Sequence, residues 1–371
     1  MKKLKGGKIL FIIGWPLNHG GHIHDALNHI KYLRKYGLEI FLLAPNGNKI
    51  EEFTDLGTKY YTMPKSYPLT FLLILYLLLI KKVDVIHAMD YEAIKKAIIV
   101  KIVIKKPIIF TKAGGPAPSY KLPPVDALIV CSSELYEQLT PKVSIESSIY
   151  LIKERIDLSI FKPCNNIRQN SKTIVFMAMR LERQKTMWLD NIIEQIRIYS
   201  SELEDYQFII AGEGGLFKHY VKLADEINKR SGSQTIKLIG GIDSVTEMNK
   251  LYNSSDIVIG HGRGIMEAMA CGKIVLVLGE ESQIEEVSRD NVDEISYYNF
   301  SGRHFRYRPS ISNTSIMSSL ININPINTWS EAYIKENYSA EVGAWKLIQL
   351  YRSLTYSRNS LIIVKWLFNH K

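Results

Sequence analysis

The sequence predicts an α/β protein built from two doubly wound, Rossmann-like domains that face a cleft. Short apolar runs alternate with helix-period patterns along most of the chain, which is typical of parallel βαβ units. The alternation pauses once, at the polar, proline-containing stretch 161–169, and then restarts. Because ligands of such sheets bind beyond the carboxyl ends of the strands, we expect functional residues in the loops that follow strands.

The first domain is predicted over residues 1–162. Its first strand leads through a glycine-containing loop into a helix whose apolar face repeats at helical spacing from Ile23 to Leu33. The apolar run 69–80 is shorter than the roughly 20 residues that cross a bilayer, so it predicts a buried or interfacial helix. Strands are expected at 8–13, 38–44, 83–87, 108–111, 127–131 and 149–152.

The second domain is predicted over residues 168–350. The same alternation returns there, with amphipathic helical patterns near 187–198 and 216–228 between the apolar runs. A helix over 355–371 is expected to pack back on the first domain. Strands are expected at 173–179, 206–211, 236–239, 256–259 and 274–278.

The composition is that of a globular protein. Of the 371 residues, 46% are hydrophobic and 23% are charged, which excludes a disordered chain, a collagen-like repeat and a disulfide-stapled mini-domain. Three cysteines without a CxxC pair favour a reducing, cytoplasmic compartment. The apolar part of the N-terminal segment is too short for a secretory signal, so none is expected.

The positive charge is concentrated in the first half of the chain. Residues 1–165 contain 23 Lys and Arg against 14 Asp and Glu, whereas the remainder is nearly balanced, for a net charge of +10. A one-sided basic field suggests an anionic partner, which is a membrane surface, a nucleic acid or a phosphorylated substrate. A generally lysine-rich composition explains the same numbers.

A glycine-rich turn at 260–264 is the strongest single signal. It follows a predicted strand and precedes a predicted helix, a geometry that presents backbone N–H groups and a positive helix end to an anion. Arg263 adds a charged donor, and Glu267 is expected in the first helical turn, where its carboxylate can accept a sugar hydroxyl. The alternative is a tight turn in which Glu267 only complements the helix dipole.

Several segments together resemble the family 4, or group 1, glycosyltransferases of the GT-B fold. The sequence EAMACGK begins at Glu267, after the glycine-rich turn. Earlier segments fall in the order of the family's motifs over roughly residues 8 to 280: PLNHGGHIH at 16–24, DVIHA at 84–88, RIDLSIFKP at 155–163, MRLERQK at 179–185 and AGEG at 211–214.

The resemblance implies a nucleotide-sugar donor and assigns roles to individual residues. Glu267 corresponds to the glutamate that binds the nucleotide ribose, while Gly240 and Ile242 correspond to the loop around the base. The leaving diphosphate gains charge as the glycosidic bond breaks, so positive groups are needed beside it. The positions implied for the diphosphate are Gly20, Gly21, Arg180, Lys185, Arg263, Gly264 and Ile265.

The chain departs from the family pattern at two places. The family usually carries a second glutamate eight positions before Glu267, where this chain has Ile259, so recognition of the donor sugar does not carry over. A frequent family histidine is replaced by Lys112 in a KAGGP loop, where the lysine is either a phosphate or acceptor contact or a surface charge.

His87 is either an acceptor contact or a hydrogen-bonded structural residue. A segment at 299–303, NFSGR, resembles one from a branch of the superfamily and has no assigned role.

The sequence thus predicts a glycosyltransferase that acts, with retention of configuration, on a glycan or lipid-linked acceptor in cell-surface polysaccharide or glycoconjugate synthesis. No metal or other cofactor is expected, since no Asp-x-Asp pair is present and His22, His24 and Asp25 are unfavourably placed around one ion. No nucleic-acid partner is expected, whereas peripheral binding to the inner face of the membrane is. The alternatives are a nucleotide-sugar epimerase of the same fold and a non-catalytic nucleotide-sugar-binding protein.

Overall fold

The computed structural model divides the chain into two compact units. Unit 1 comprises Met1–Arg155 and Tyr338–Lys371, and unit 2 comprises Ile156–Asn337. The described residues are 7–18, 20–119, 121–143, 147–164, 172–183, 186–199, 201–279, 283–307, 320 and 329–354.

Unit 1 is built on a parallel sheet of seven strands in the order β3-β2-β1-β4-β5-β6-β7. Alternate residues of β1 show how both faces are used. Phe11 packs into one buried layer with the first helix, and Leu10 packs into the other with the third and fourth helices. The strands are β1 (Lys8–Ile12), β2 (Glu39–Ala44), β3 (Lys59–Thr62), β4 (Val85–Ala88), β5 (Ile108–Lys112), β6 (Ala127–Val130) and β7 (Ser148–Leu151).

The helices of unit 1 cover both faces of this sheet, as expected for a doubly wound fold. Ser132 and Asp90 each begin a helix by accepting a hydrogen bond from a backbone N–H of its first turn. Up to residue 155, the helices of this unit are α1 (Gly21–Lys35), α2 (Ile50–Asp55), α3 (Tyr67–Leu79), α4 (Tyr91–Ala97), α5 (Val100–Val103) and α6 (Ser133–Leu139).

Unit 2 has a six-stranded sheet in the order β10-β9-β8-β11-β12-β13, in which only the last strand is antiparallel among those described. Its strands are β8 (Thr173–Ala178), β9 (Tyr206–Ala211), β10 (Ile236–Ile239), β11 (Ile257–Gly260), β12 (Ile274–Leu278) and β13 (Ile284–Glu286). Its helices are α7 (Met187–Ile198), α8 (Phe217–Ser231), α9 (Val245–Ser254), α10 (Arg263–Ala270), α11 (Val292–Tyr297) and α12 (Ser330–Tyr338), the last of which ends at the boundary with unit 1.

The predicted fold class of two doubly wound α/β domains is confirmed. The predicted strands are found with shifts of one or two residues at their ends. Two strands are absent from the prediction, β3 at one sheet edge and the three-residue β13 at another. Both are short, and β3 has no buried residue, so it lacks the alternation of apolar and polar residues that predicts a strand. Within the described residues, no helix is long and apolar enough to cross a membrane.

The predicted domain limits need two corrections. Unit 2 begins at Ile156, whereas the prediction kept residues up to 162 in the first domain. The prediction assigned residues up to 350 to the second domain, but helix α13 (Ala340–Ser353) packs on unit 1, where Ala344 and Leu347 join the same buried layer as helix α1. Helical periodicity reveals an apolar face but not which sheet it covers, so the sequence could not assign the helix. The segment 355–371, predicted as the returning helix, lies outside the described residues.

The residues at 154 and 155 hold α13 in place. Lys346 forms an ion pair with the Glu154 carboxylate, and the Arg155 N–H donates to the carbonyl of Tyr338 at 2.8 Å. Gly343 lies so close to the backbone of Glu154 that an added Cβ would be 2.0 Å from the Glu154 carbonyl oxygen. The absence of a side chain at 343 therefore sets how closely the helix approaches unit 1.

We expect Gly343→Ala to destabilise the protein although alanine favours helix formation. The helix gain is at most about 1 kcal/mol, while overpacking against backbone costs about 1–3 kcal/mol. Val342→Ala is the matched control, because Val342 is exposed and its change is expected to stay within about 0.5 kcal/mol. The measurement is urea unfolding together with hydrogen exchange of the α13 peptide. Equal stability and equal exchange in the two variants would contradict the packing described.

Candidate functional site

The sheet of unit 2 has a topological switch point between β8 and β11. These strands are hydrogen-bonded neighbours, and the chain proceeds from them towards opposite edges of the sheet. Ligands of open α/β sheets bind outside the carboxyl ends at such a point. The loop after β8 carries Arg180, and the turn after β11 carries the glycines predicted to bind an anion.

The turn after β11 leads directly into helix α10. Gly262 is the N-cap residue, with a φ of 64°, a left-handed conformation that glycine adopts without steric cost. The helix begins at Arg263, so Gly264 and Ile265 lie in its first turn. The positive end of α10 thus lies at the switch point, next to the loop after β8.

Both carboxylate oxygens of Glu267 are engaged. Arg263 Nε donates to Oε1 at 2.6 Å, and the Tyr252 hydroxyl donates to Oε2 at 3.3 Å. Glu267 and Tyr252 are both buried, at 8% and 2% exposure. Burial, followed by the charge of Glu267, raises the pKa of Tyr252 well above its usual value, so the phenol stays protonated and donates. The carboxylate is therefore held in a fixed orientation.

The position of Glu267 differs from the prediction. It was expected in the first helical turn, but the helix already begins at Arg263, within the predicted glycine-rich turn. Glu267 is the fifth helical residue, one turn after Arg263, which is the spacing at which two side chains on a helix meet. The alternative in which Glu267 only complements the helix dipole does not describe this geometry, because Glu267 forms an ion pair with Arg263.

Tyr252 was missed by the sequence analysis. It lies in α9 and packs against the rings of Phe161 and Phe176, with centroids 6.0 and 5.7 Å away. An added Cβ at Gly264 would lie 3.3 Å from its hydroxyl oxygen, so the tyrosine also touches the first turn of α10. The only signal in the sequence is an aromatic residue on the buried side of an amphipathic helix, which by itself indicates packing.

The loop that carries Arg180 is tied to the loop after β9. The Leu181 N–H donates to the Glu213 carbonyl at 2.9 Å, and the Leu216 N–H donates back to the Leu181 carbonyl at 3.0 Å. A Cβ on Gly212 would lie 1.9 Å from a backbone oxygen of the first loop, so only glycine permits this approach. The side chain of Arg180 is exposed. Lys185, predicted beside it, lies outside the described residues.

The loop after β10 adjoins the same group of loops. The Gly212 N–H lies 3.2 Å from both the Ile239 and the Gly240 carbonyl oxygens. Gly240 is exposed and Ile242 is half-buried. The sheet order places them two strands away from β8, at the edge strand, so they lie further from the switch point than Arg180 does.

The NFSGR segment, which had no assigned role, contacts the glycine-rich turn. The Gly262 N–H donates to the carbonyl of Phe300 at 2.5 Å. Asn299 and Phe300 both adopt left-handed backbone conformations, with φ of 60° and 54°. Non-glycine residues pay for this conformation, which persists only where the surroundings fix it. The segment therefore supports the N-cap of α10.

In unit 1, Gly20 and Gly21 begin helix α1. Gly20 is its N-cap and its carbonyl accepts from the N–H of Ile23 at 3.0 Å, while the space beside Gly21 is open. Asp25, one of the three residues considered as metal ligands, is buried against Arg155 at 3.3 Å. The described residues contain no group of three side chains arranged to hold a metal ion.

The carboxyl end of β1 is closed by an aspartate that the sequence analysis missed. Asp90 Oδ2 accepts from the Gly14 N–H at 2.7 Å, and Oδ1 accepts from the Ala93 N–H at 2.8 Å. Burial raises the pKa of Asp90. This residue links the β1 and β4 loops at the switch point of unit 1 and begins α4.

Lys112 lies at the end of β5 and folds back on its own loop. Its ammonium group donates to the carbonyl of Gly114, and the adjacent Ala113 carbonyl accepts from Arg155 at 3.3 Å. The lysine is half-buried. The KAGGP loop is thus held by two cations, one of which is part of a buried ion pair with Asp25.

His87 is a core residue. Its exposure is 1%, Nδ1 pairs with the Tyr351 hydroxyl at 2.8 Å, and Nε2 pairs with the Thr111 hydroxyl at 2.6 Å. Burial, with a smaller effect from His29, lowers the pKa of His87 to about 3. Of the two readings open from the sequence, this geometry fits the structural one, because both nitrogens are engaged inside the fold.

Residues 161–300 match the family model described as glycosyl transferases group 1. The resemblance to the group 1 glycosyltransferases is confirmed. This group 1 segment begins at Phe161, which packs on Tyr252, and ends at Phe300, which holds the N-cap of α10. It therefore contains the whole Arg263–Glu267–Tyr252 arrangement. No curated protein matches the chain.

Solved structures resemble the chain over nearly its full length, beyond the group 1 segment. A glycosyltransferase from Rickettsia africae has a TM-score of 0.67 at 16% identity, covering 94% of this chain and 98% of that one. HepE of Anabaena, in complex with UDP and glucose, has a TM-score of 0.63 at 14% identity, covering 93% and 99%. The UDP-GlcNAc 2-epimerase of Methanocaldococcus jannaschii has a TM-score of 0.59 at 14% identity, covering 93% and 100%. At these identities the likeness establishes the fold alone.

We expect His87 to make stability depend on pH below neutrality. With a pKa near 3 in the folded state and about 6.5 when unfolded, the unfolded chain binds more protons between these values. The contribution of His87 to the free energy of unfolding therefore rises as the pH increases from about 3 to about 6.5, by at most about 1.4 kcal/mol per pH unit. Above that range it no longer changes with pH.

The test compares wild type with His87→Gln by urea unfolding at a series of pH values. The glutamine keeps a donor and an acceptor near Tyr351 and Thr111 but does not titrate. The difference in unfolding free energy, wild type minus variant, should increase with pH up to neutrality. Parallel curves across the acidic range would contradict a buried neutral histidine.

Proposed function

We propose that the chain is a glycosyltransferase whose unit 2 binds a nucleotide-sugar donor. The observation that carries this proposal is the Glu267 carboxylate, fixed by Arg263 and Tyr252 beside the N-terminus of α10. The arrangement lies inside the group 1 segment and at the switch point of the sheet, where ligands of this fold class bind.

The proposed role of Glu267 is to accept hydrogen bonds from the two ribose hydroxyls. A carboxylate oxygen can accept more than one hydrogen bond, so the oxygens that accept from Arg263 and Tyr252 can also accept from the hydroxyls of a vicinal diol. Because the carboxylate is already oriented, the donor does not have to order it on binding.

The proposed site for the diphosphate is the N-terminal end of α10 together with Arg180. The helix end supplies backbone N–H groups and a partial positive charge, and the exposed arginine supplies a charged donor from the neighbouring loop. These groups stabilise the charge that develops on the leaving group as the glycosidic bond breaks. Lys185 is included on the resemblance alone.

For the chemical step we propose retention of configuration, as the resemblance implies. In that mechanism the leaving phosphate accepts the proton of the acceptor hydroxyl, so no side-chain base is required. The buried position of His87 is compatible with this, since a general base must reach the proton that it removes. A glycan or lipid-linked acceptor bound by unit 1, near the KAGGP loop, completes the proposal.

An epimerase of the same fold is the second candidate, favoured by the likeness to the enzyme from Methanocaldococcus jannaschii. An epimerase converts one nucleotide sugar into another without an acceptor and without releasing nucleotide, whereas a transferase releases nucleotide when an acceptor is present. A non-catalytic binding protein does neither. Measuring nucleotide release from a panel of nucleotide sugars, with and without an acceptor extract, separates the three.

We expect Arg180→Ala to weaken binding of UDP, the first probe because a structural neighbour holds it. Loss of one charge-assisted phosphate contact costs about 1.5–3 kcal/mol, or roughly ten- to a hundredfold in affinity. Arg230→Ala is the matched control, since Arg230 is an exposed arginine in the last turn of α8, at the opposite end of the βα unit. Calorimetric titration gives both affinities. Equal losses, or no loss with Arg180→Ala, would remove Arg180 from the donor site.

We also expect donor binding and transfer to survive a chelator. The proposed site neutralises the diphosphate with Arg180 and the N-terminal end of α10 rather than with a divalent cation. UDP affinity and nucleotide release should therefore be unchanged after EDTA treatment. Loss of both with EDTA and their recovery with manganese would show that a metal ion is part of the site.

A further inference from the structure

Helix α3 of unit 1 presents an apolar face to the solvent. Leu69, Leu72, Tyr76 and Leu79 are all exposed, with Leu72 at 57% and Leu79 at 60%. Their spacing of three, four and three residues places them along one side of the helix. Ile80, just after the helix, is 65% exposed and extends the same stripe.

The opposite side of α3 is an ordinary core face. Thr70, Ile74, Leu77 and Leu78 are buried there, and the three apolar residues join the layer that covers the sheet. A helix that covers a sheet in water normally carries polar residues on its outer side. Helix α3 is instead apolar on both sides, so packing on the sheet does not account for its exposed hydrophobic residues.

Basic groups border this apolar face near both ends of the helix. At the first turn of the helix, Lys96 Nζ lies 5.7 Å from the centre of the Tyr67 ring. Towards the last turn, Lys81 Nζ lies 5.4 Å from the centre of the Tyr76 ring. Lys65 and Lys82 are exposed in the segments that flank the helix. The apolar stripe is thus bordered by cations.

Not every lysine nearby contributes to this border. Lys101 is buried with Asp126 at 2.9 Å, Lys95 pairs with Glu92, and Lys106 lies 4.0 Å from Asp84. These lysines are neutralised within unit 1. The charge that borders the stripe therefore comes from Lys65, Lys81, Lys82 and Lys96 rather than from these three.

We propose that the outer face of α3 docks on the surface of an anionic lipid bilayer. The apolar stripe would enter the interface between headgroups and acyl chains, while the bordering lysines contact the headgroups. The helix has 13 residues, too few to span a bilayer, so the contact is peripheral. A second copy of the chain fits less well, because a symmetric contact would bring the same lysines face to face.

The test is co-sedimentation of the full chain with vesicles of phosphatidylcholine alone and of phosphatidylcholine with phosphatidylserine. Binding should require the anionic lipid and weaken as salt is raised. Lys81→Gln combined with Lys82→Gln should reduce partitioning roughly 25-fold, at about fivefold per basic residue. Leu72→Ser combined with Leu79→Ser should reduce it as well, because burial of the stripe is lost.

The matched control is Lys229→Gln combined with Arg230→Gln. It removes the same charge from exposed positions at the end of α8 in unit 2 and should leave binding unchanged. Circular dichroism checks that each variant is folded. An equal loss in this control would reduce the effect to net charge and overturn the proposal.

Other outcomes would overturn it too. Equal pelleting with neutral vesicles would exclude recognition of anionic lipid. No pelleting with anionic vesicles at low salt would show that this face does not bind a lipid bilayer. Dimers that dissociate on Leu72→Ser with Leu79→Ser, without vesicle binding, would identify a second copy as the occupant. None of these measurements needs a sugar donor, so failure here leaves the proposed function standing.

Discussion

The parallel direction of the strands is the constraint on which the candidate site depends. Strands β8, β9, β10, β11 and β12 all run in the same direction. Every loop that follows one of them therefore leaves the sheet on the same side, at the carboxyl ends of the strands. This side of the sheet brings together loop residues that are far apart in sequence, at positions 180, 212, 240 and 263. The glycines at 212 and 262 then allow the loops to approach one another and α10 to begin at the switch point.

Glu267 illustrates what it takes to keep a charge inside such a fold. An unpaired buried carboxylate is costly, and the usual result is that it becomes protonated. Arg263 and Tyr252 remove that cost by engaging both oxygens, and Tyr252 is itself held by the aromatic rings of Phe161 and Phe176. Contacts thus connect the first residue of the group 1 segment, Phe161, to the Glu267 carboxylate through Tyr252.

Much of this could be predicted from the sequence. Apolar runs at the right spacing predict buried strands, so the two sheets and the loops at their carboxyl ends followed from the pattern. The edge strand β3 and the short β13 have little buried surface and leave little pattern. Glu267 was found by its motif, but Tyr252 and Asp90 were not, because a buried tyrosine and a helix-capping aspartate usually serve packing and capping alone.

The chain crosses from unit 1 to unit 2 after Arg155 and returns at Tyr338, and this has a consequence for synthesis on the ribosome. Helix α13 supplies Ala344 and Leu347 to the first buried layer and Tyr351 to His87, yet it is translated after all of unit 2. Part of the core of unit 1 therefore stays uncovered while unit 2 is translated. The usual order of vectorial folding is reversed, and unit 2 is the first that can be completed as the chain emerges.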